Sequence, residues 1–234
     1  MDPAQLLLQL QKSPPAAGYL FLGNELFSRD GCRKALLEKV LGPGERESGL
    51  AEYDLAETSL DALFEDARSL SLFASSRLIV GYNAEAALPR AATSDDDETS
   101  PAPASDPCRG YFRNPTPGVV VLLEALRFDW DDRDEKKKLE RLAKYFTAVP
   151  VTVEMRRLDP RAVLEGAGRL ARQHRLRIPD ALLAELAEAL GHDMARIANE
   201  ISKLALYSGG QQEITRDDLA VLVPEARTTG LFEL

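Results

Sequence analysis

No run of about eighteen apolar residues occurs in this chain, so no segment is expected to span a membrane. The opening Met1-Asp2-Pro3 has no basic stretch ahead of an apolar core, and no signal peptide is expected. Leu6-Leu7-Leu8 with Leu10 is too short for one and reads as a small amphipathic helix. Cysteine is scarce. Cys32 and Cys108 cannot build a disulfide framework or a metal site, and their scarcity points to a reducing, cytoplasmic setting. His174 and His192 stand isolated, so no metal is expected. Positive charge is outnumbered, with 38 acidic against 29 basic residues and a net charge of −9, which argues against strong nucleic-acid binding by the chain alone. No nucleophile–base constellation is legible, and no intrinsic catalysis is expected.

What remains is an ordinary soluble composition, 44% hydrophobic and 29% charged, with a clear order of elements. Residues 19–23 read as a buried strand ending in a glycine turn. A helix over roughly 25–41 follows and stops at Gly42-Pro43-Gly44. Leu50–Leu55 reads as a second strand. Thr58-Ser59-Leu60-Asp61 resembles a capping box and opens a helix whose stripe is Leu60, Leu63, Phe64, Ala67 and Leu70. Further strands are expected at Arg77–Gly81, Val119–Leu123 and Val149–Glu154, with a charged helix over Asp131–Tyr145. Strands alternating with helices predict a parallel, doubly wound α/β sheet. Residues 88–109 are dominated by Ala, Ser, Asp, Pro and Thr and read as a disordered insertion, with order returning at Tyr111-Phe112. Trp130, beside two aspartates, is expected to be half-exposed.

After Met155 the pattern is helical. Asp159-Pro160, Pro179-Asp180, Asp193 and Thr215 open four helices of a small domain, and Thr228–Leu234 starts a new apolar segment that has nothing to pack on.

A strand, a glycine turn and a helix frame a phosphate-binding loop. Such a loop also needs Lys for the phosphates and Ser/Thr for Mg²⁺. The turn Gly23–Gly31 has no Gly-Lys-Ser/Thr, and Glu25 puts negative charge where phosphate would lie. The stretch 156–177 carries seven arginines against Asp159 and Glu165. A solvated helix face and a nucleic-acid patch are both open readings, although no aromatic residues interleave as stacking platforms.

Leu72 and Phe73 fall off the buried stripe of the preceding helix, between it and the strand at Arg77. Either the fold covers them there or they stand exposed as an anchor for a partner's hydrophobic pocket.

Three stretches together resemble the delta subunit of bacterial DNA polymerase III, a clamp-loader family. They are Tyr19-Leu-Phe-Leu-Gly-Asn-Glu-Leu-Phe27, Ser69-Leu-Ser-Leu-Phe-Ala-Ser-Ser-Arg-Leu-Ile-Val80, and Gly191 to Tyr207 followed by Ile214-Thr215 and Val221-Leu-Val223. The resemblance implies an AAA+-like parallel five-stranded sheet with flanking helices over 1–155, a helical lid-like domain over 156–226, and the start of a missing collar domain at 227–234. It implies a subunit of the DNA polymerase III holoenzyme that binds and opens the sliding clamp for loading onto primed DNA, without ATP hydrolysis of its own and without a cofactor. Leu72 and Phe73, with Leu70, are the implied clamp-binding residues. The other implied partners are the loader ATPase and delta-prime subunits, met through the collar. DNA is met only within the assembled loader, with Arg169, Arg172 and Arg175 as candidate contacts, and no membrane is involved. Loader ATPases place a sensor arginine early in a lid helix, where Ala195 stands here with Arg196 beside it. The insertion near 88–109 is longer than the family pattern. A degenerate P-loop ATPase and a nucleic-acid-binding AAA+-like adaptor are the alternative readings.

Overall fold

The computed structural model describes residues 1–42, 44–69, 74–88, 106–208 and 213–222. The chain divides into two compact units, Met1–Arg157 and Leu158–Leu234.

The first unit is organised by two apolar runs. Strands β1 (Gly18–Leu22) and β4 (Val119–Ala125) are buried along their whole length. Continuous burial is the mark of parallel strands covered on both faces. With β2 (Leu50–Asp54), β3 (Arg77–Tyr82) and β5 (Val151–Glu154) they form one parallel sheet in the order β2-β3-β4-β1-β5. The pleat sends alternate side chains to opposite faces. Leu20, Leu22, Val121 and Leu123 pack with α4 (Leu60–Arg68), α5 (Pro107–Phe112) and α6 (Arg133–Tyr145). Tyr19, Phe21, Val120 and Leu122 pack with α1 (Pro3–Lys12) and α2 (Leu26–Val40). A single turn, α3 (Arg46–Gly49), leads into β2. This is the AAA+-like sheet expected from the resemblance.

Three expectations are corrected. Residues 106–109 do not belong to a disordered insertion. Asp106 accepts a hydrogen bond from Arg109 N at 3.1 Å and caps α5, whose Cys108 and Tyr111 are buried. Tyr111 stacks on Phe64 with ring centroids 5.0 Å apart. The bulk composition of the stretch hid an Asp-Pro helix start followed by apolar residues. At the other boundary, Leu88 closes a 3-10 turn, Ala84–Ala87, that no periodicity announced. Residues 89–105, the rest of the expected insertion, lie outside the described residues. Trp130 is buried rather than half-exposed, because its Nε1 donates to Leu22 O at 2.8 Å and its ring carries Arg156 at 4.4 Å. Ser59 does cap α4, accepting from Ala62 N at 3.2 Å, but the residue that would close a capping box is Ala62 itself, so the cap is one-sided.

The second unit is helical: α7 (Pro160–Gln173), α8 (Asp180–Ala189), α9 (Met194–Tyr207) and α10 (Arg216–Leu222). Asp159 and Asp193 cap α7 and α9, and Thr215 and Asp218 cap α10 reciprocally. Gly191 ends α8 at φ +64, a conformation glycine adopts without strain. The buried face of α7 is small (Gly166, Ala167, Gly168, Ala171), which lets Met194 of α9 and Leu183 of α8 approach its backbone closely. Leu182, Leu186, Ile197, Ile201 and Leu204 complete the core.

Candidate functional site

The turn after β1 is where a fold of this kind would take a phosphate. Gly23 sits at φ +114, and a Cβ there would lie 2.3 Å from Met155 O and 2.6 Å from the Trp130 ring. No other residue type fits. Two residues on, Glu25 ends the turn and caps α2. Its Oε1 accepts from Phe27 N at 3.1 Å and its Oε2 from Ser28 N at 2.7 Å. A helix N-terminus binds anions through such free amides and the positive end of its dipole. Here the chain fills that position with its own carboxylate.

Beneath the same helix lies a second carboxylate. Glu124 of β4 is wholly buried on the α2 face of the sheet. Arg29 and Arg33 of α2 each bring a guanidinium nitrogen to 3.7 Å from its Oε2. Arg33 also bonds Glu52 of β2 and the Tyr82 hydroxyl of β3. Burial pushes the Glu124 carboxyl above the ordinary carboxylate range, against the opposing pull of Arg33 and Arg29. The two arginines pin α2 across three strands. The cysteines offer no chemistry either: both are buried, and burial first of all pushes each thiol up to about 12.

Leu70, Leu72 and Phe73 lie outside the described residues, but the feet of their segment do not. Arg77, first residue of β3, ties the end of α4. Its Nη1 donates to Asp66 O at 2.8 Å and to Ser69 Oγ at 3.2 Å, and its Nη2 to Asp66 Oδ2 at 2.6 Å. Ser75 Oγ donates to Glu45 Oε1 at 2.9 Å, fixing the other side.

The arginine-rich stretch separates into parts. Arg156 pairs with Glu154 at 2.7 Å, Arg157 with Asp129 at 3.1 Å and Arg161 with Glu165 at 3.3 Å. Arg169 and Arg172 are exposed and share a face of α7 at i,i+3 spacing. Arg175 lies beyond the helix end at φ +61, exposed but off that helical repeat. Ala195 and Arg196 occupy the first turn of α9, where their backbone amides bond the Asp193 cap. Sequence reading missed the Glu124–Arg29–Arg33 cluster. Its signal was one acid inside an otherwise apolar strand.

Comparison with known proteins agrees with this architecture. The sequence model of the family described as DNA polymerase III, delta subunit, matches residues 19–153. DNA polymerase III subunit delta of Bacillus subtilis is 24% identical over 225 residues, covering 96% of this chain and 62% of that protein. The solved DNA clamp loader delta protein of Bacillus subtilis superposes with a TM-score of 0.62 at 22% identity, over 94% of this chain and 62% of that one. The Holliday junction branch migration motor RuvB of Thermotoga maritima shares the fold with a TM-score of 0.51 at 11% identity, over 94% of this chain and 67% of that one. The chain thus spans about three-fifths of the delta subunits it matches. With the matched residues running from the first strand of the sheet to the last, the chain belongs to the DNA polymerase III delta subunit family.

Proposed function

We propose that this chain is a clamp-loader subunit that binds the sliding clamp through Leu70, Leu72 and Phe73 and helps open it for loading onto primed DNA. The observation that carries the reading is the family match, which runs through the α4–β3 connection holding those residues. The clasp of Arg77 on Asp66 and Ser69 supports it, since a fixed frame lowers the entropy lost when a short segment docks. The subunit does not hydrolyse ATP, a reading supported by Glu25, whose carboxylate takes the α2 amides that a phosphate would use. It works within the polymerase holoenzyme in the cytoplasm, beside the loader ATPase and delta-prime subunits. The Met1–Arg157 unit serves as the AAA+-like domain and the helices from Leu158 as the lid-like domain. Stable DNA contact arises in the assembled loader, with Arg169, Arg172 and Arg175 as the candidate surface. The test is a binding titration of the chain against the sliding clamp of its own organism. Saturable binding that a Leu-Phe peptide competes away is expected, and no binding at tens of micromolar would overturn the assignment.

A further inference from the structure

The carboxyl ends of β2, β3 and β4 frame a cleft that the clamp reading leaves unused. Its volume is about 880 Å³, and it is lined by Ala56 after β2, the turn Asn83–Leu88 after β3, Leu126–Phe128 after β4, and two side chains of α6. Ligands of open α/β sheets bind outside the carboxyl ends of the strands, and this volume is of the size that small-molecule sites have.

Three features of the lining need a common explanation. Arg127, Lys138 and Arg141 are exposed and converge on the cleft, and among the described residues none has a carboxylate within ion-pair distance. In a chain of net charge −9, where Arg29, Arg33, Arg77, Arg156 and Arg157 are all paired, three such cations on one cleft are a local reversal of sign. Next, Phe128 lies half-buried beneath them, with Lys138 Nζ 5.0 Å and Arg127 Cζ 5.9 Å from its ring centroid, beside the apolar Leu88 and Leu126. Finally, Glu85 Oε2 is buried and has no hydrogen-bond partner. An acceptor left without a donor away from water is costly.

We propose that the cleft binds a nucleotide unit, its phosphate on Arg127, Lys138 and Arg141, its base against Phe128 and the apolar floor, and an exocyclic amine donating to Glu85. A nucleotide carries an anion, a flat apolar body and amine donors in one unit. An acidic peptide has to assemble them from three residues, and a lone phosphate leaves the floor and Glu85 unused. The unit comes from a free nucleotide or a single strand.

The test uses the full chain and two labelled oligonucleotides of equal length, one of cytosine and one of thymine, with cytidine monophosphate as competitor. The cytosine strand is expected to bind about tenfold more tightly, because thymine has no exocyclic amine to offer Glu85. One neutralised phosphate predicts that raising salt from about 50 to about 200 mM weakens binding about threefold. Replacing Arg127, Lys138 and Arg141 together by Ala removes most of the affinity and the salt slope. Because these side chains are exposed, an unchanged melting temperature serves as the folding control. Glu85→Gln is expected to erase the cytosine preference while retaining binding. Competition by the mononucleotide assigns the free nucleotide, and binding by the strand alone assigns single-stranded nucleic acid. Displacement of the strand by a poly-glutamate peptide as readily as by the mononucleotide, a charge variant that binds like the parent, or no binding of either strand at low salt would each overturn the proposal.

Discussion

Two helix ends in the first unit are finished with opposite charges and to opposite purposes. At the head of α2 the chain supplies an anion, Glu25, to the free amides. At the tail of α4 it supplies a cation, Arg77, to the Asp66 carbonyl and the Ser69 cap. Both choices suit the helix dipole. The first consumes a binding capacity that the fold would otherwise offer, since the amides that could hold phosphate are spent internally. The second consumes nothing at the surface and fixes the two feet of Leu70–Phe73. Under the proposed function, a carboxylate on the α2 amides and a clasp at the end of α4 would suit a subunit that grips a protein rather than one that turns over a nucleotide.

The largest effect is expected at Leu72 and Phe73. Leu72→Ala with Phe73→Ala is expected to lower clamp affinity by about a thousandfold, on the order of 4 kcal/mol, as for anchors in a desolvated pocket. The melting temperature should hold. If the pair is instead core, the double truncation costs several kcal/mol of stability, and a melt of the same protein reports it. A folded double mutant that binds the clamp as before would end the reading of this segment as an anchor.

At the closed corner the largest effect belongs to Glu124. Glu124→Ala leaves Arg29 and Arg33 beside a cavity, and removing one partner of a buried ion pair costs about 3 kcal/mol. Urea unfolding measures it directly. The pH dependence has a definite sign. Because burial raises the folded-state pKa of Glu124, the folded chain holds that proton more tightly than the unfolded chain. The group's favourable contribution is therefore fully present below the unfolded value and is lost as pH rises through the folded one. Glu124→Gln should flatten the slope of stability as pH rises above the ordinary carboxylate range. A slope that persists in the variant would assign it to another group.

Much of this was legible in the sequence, for a physical reason. The apolar runs of β1 and β4, the cap residues Asp159 and Asp193, and the stripe Leu60, Leu63, Phe64 and Ala67 are local patterns, and local patterns specify elements. Glu25 was legible as a misplaced charge but not as a cap, because its bonding depends on where the turn points it. Glu124 could have been found by parity, since residues 120, 122 and 124 of a strand share one face and the first two face α2. The Trp130–Leu22 bond joins residues 108 positions apart, and the Arg77–Asp66 clasp joins a strand to a helix across Leu70–Phe73. Neither leaves a trace in spacing. The basic cleft gathers three connections and a helix that only the sheet brings together.

A smaller effect is expected at the Arg77 clasp. Arg77→Ala removes the Asp66 ion pair and its carbonyl contact, both half-sheltered from solvent, and is expected to cost about 1–2 kcal/mol of stability. If the clasp also frames the segment, clamp affinity falls by about tenfold. Arg77→Lys restores charge but not the forked contact and should recover little of the affinity. Stability lost with affinity intact would leave Arg77 as a fold residue alone.

The smallest effect is expected at Glu25. Glu25→Ala frees the amides of Phe27 and Ser28 and should cost about 1 kcal/mol, the ordinary worth of a side-chain cap. Its value lies in what it should fail to gain. If the carboxylate alone kept nucleotide out, removing it would uncover Mg²⁺-dependent ATP binding at the α2 head. The turn Gly23–Gly31 still has no Gly-Lys-Ser/Thr, so no lysine meets the phosphates and no hydroxyl is placed for the metal. Calorimetry with ATP, with and without Mg²⁺, should therefore show no metal-dependent difference in either protein. Micromolar, Mg²⁺-dependent affinity in the variant alone would show that one side chain closes the site. The same affinity in the parent chain would show that Glu25 yields its amides to a stronger anion, and the two helix ends would then be less different than they look.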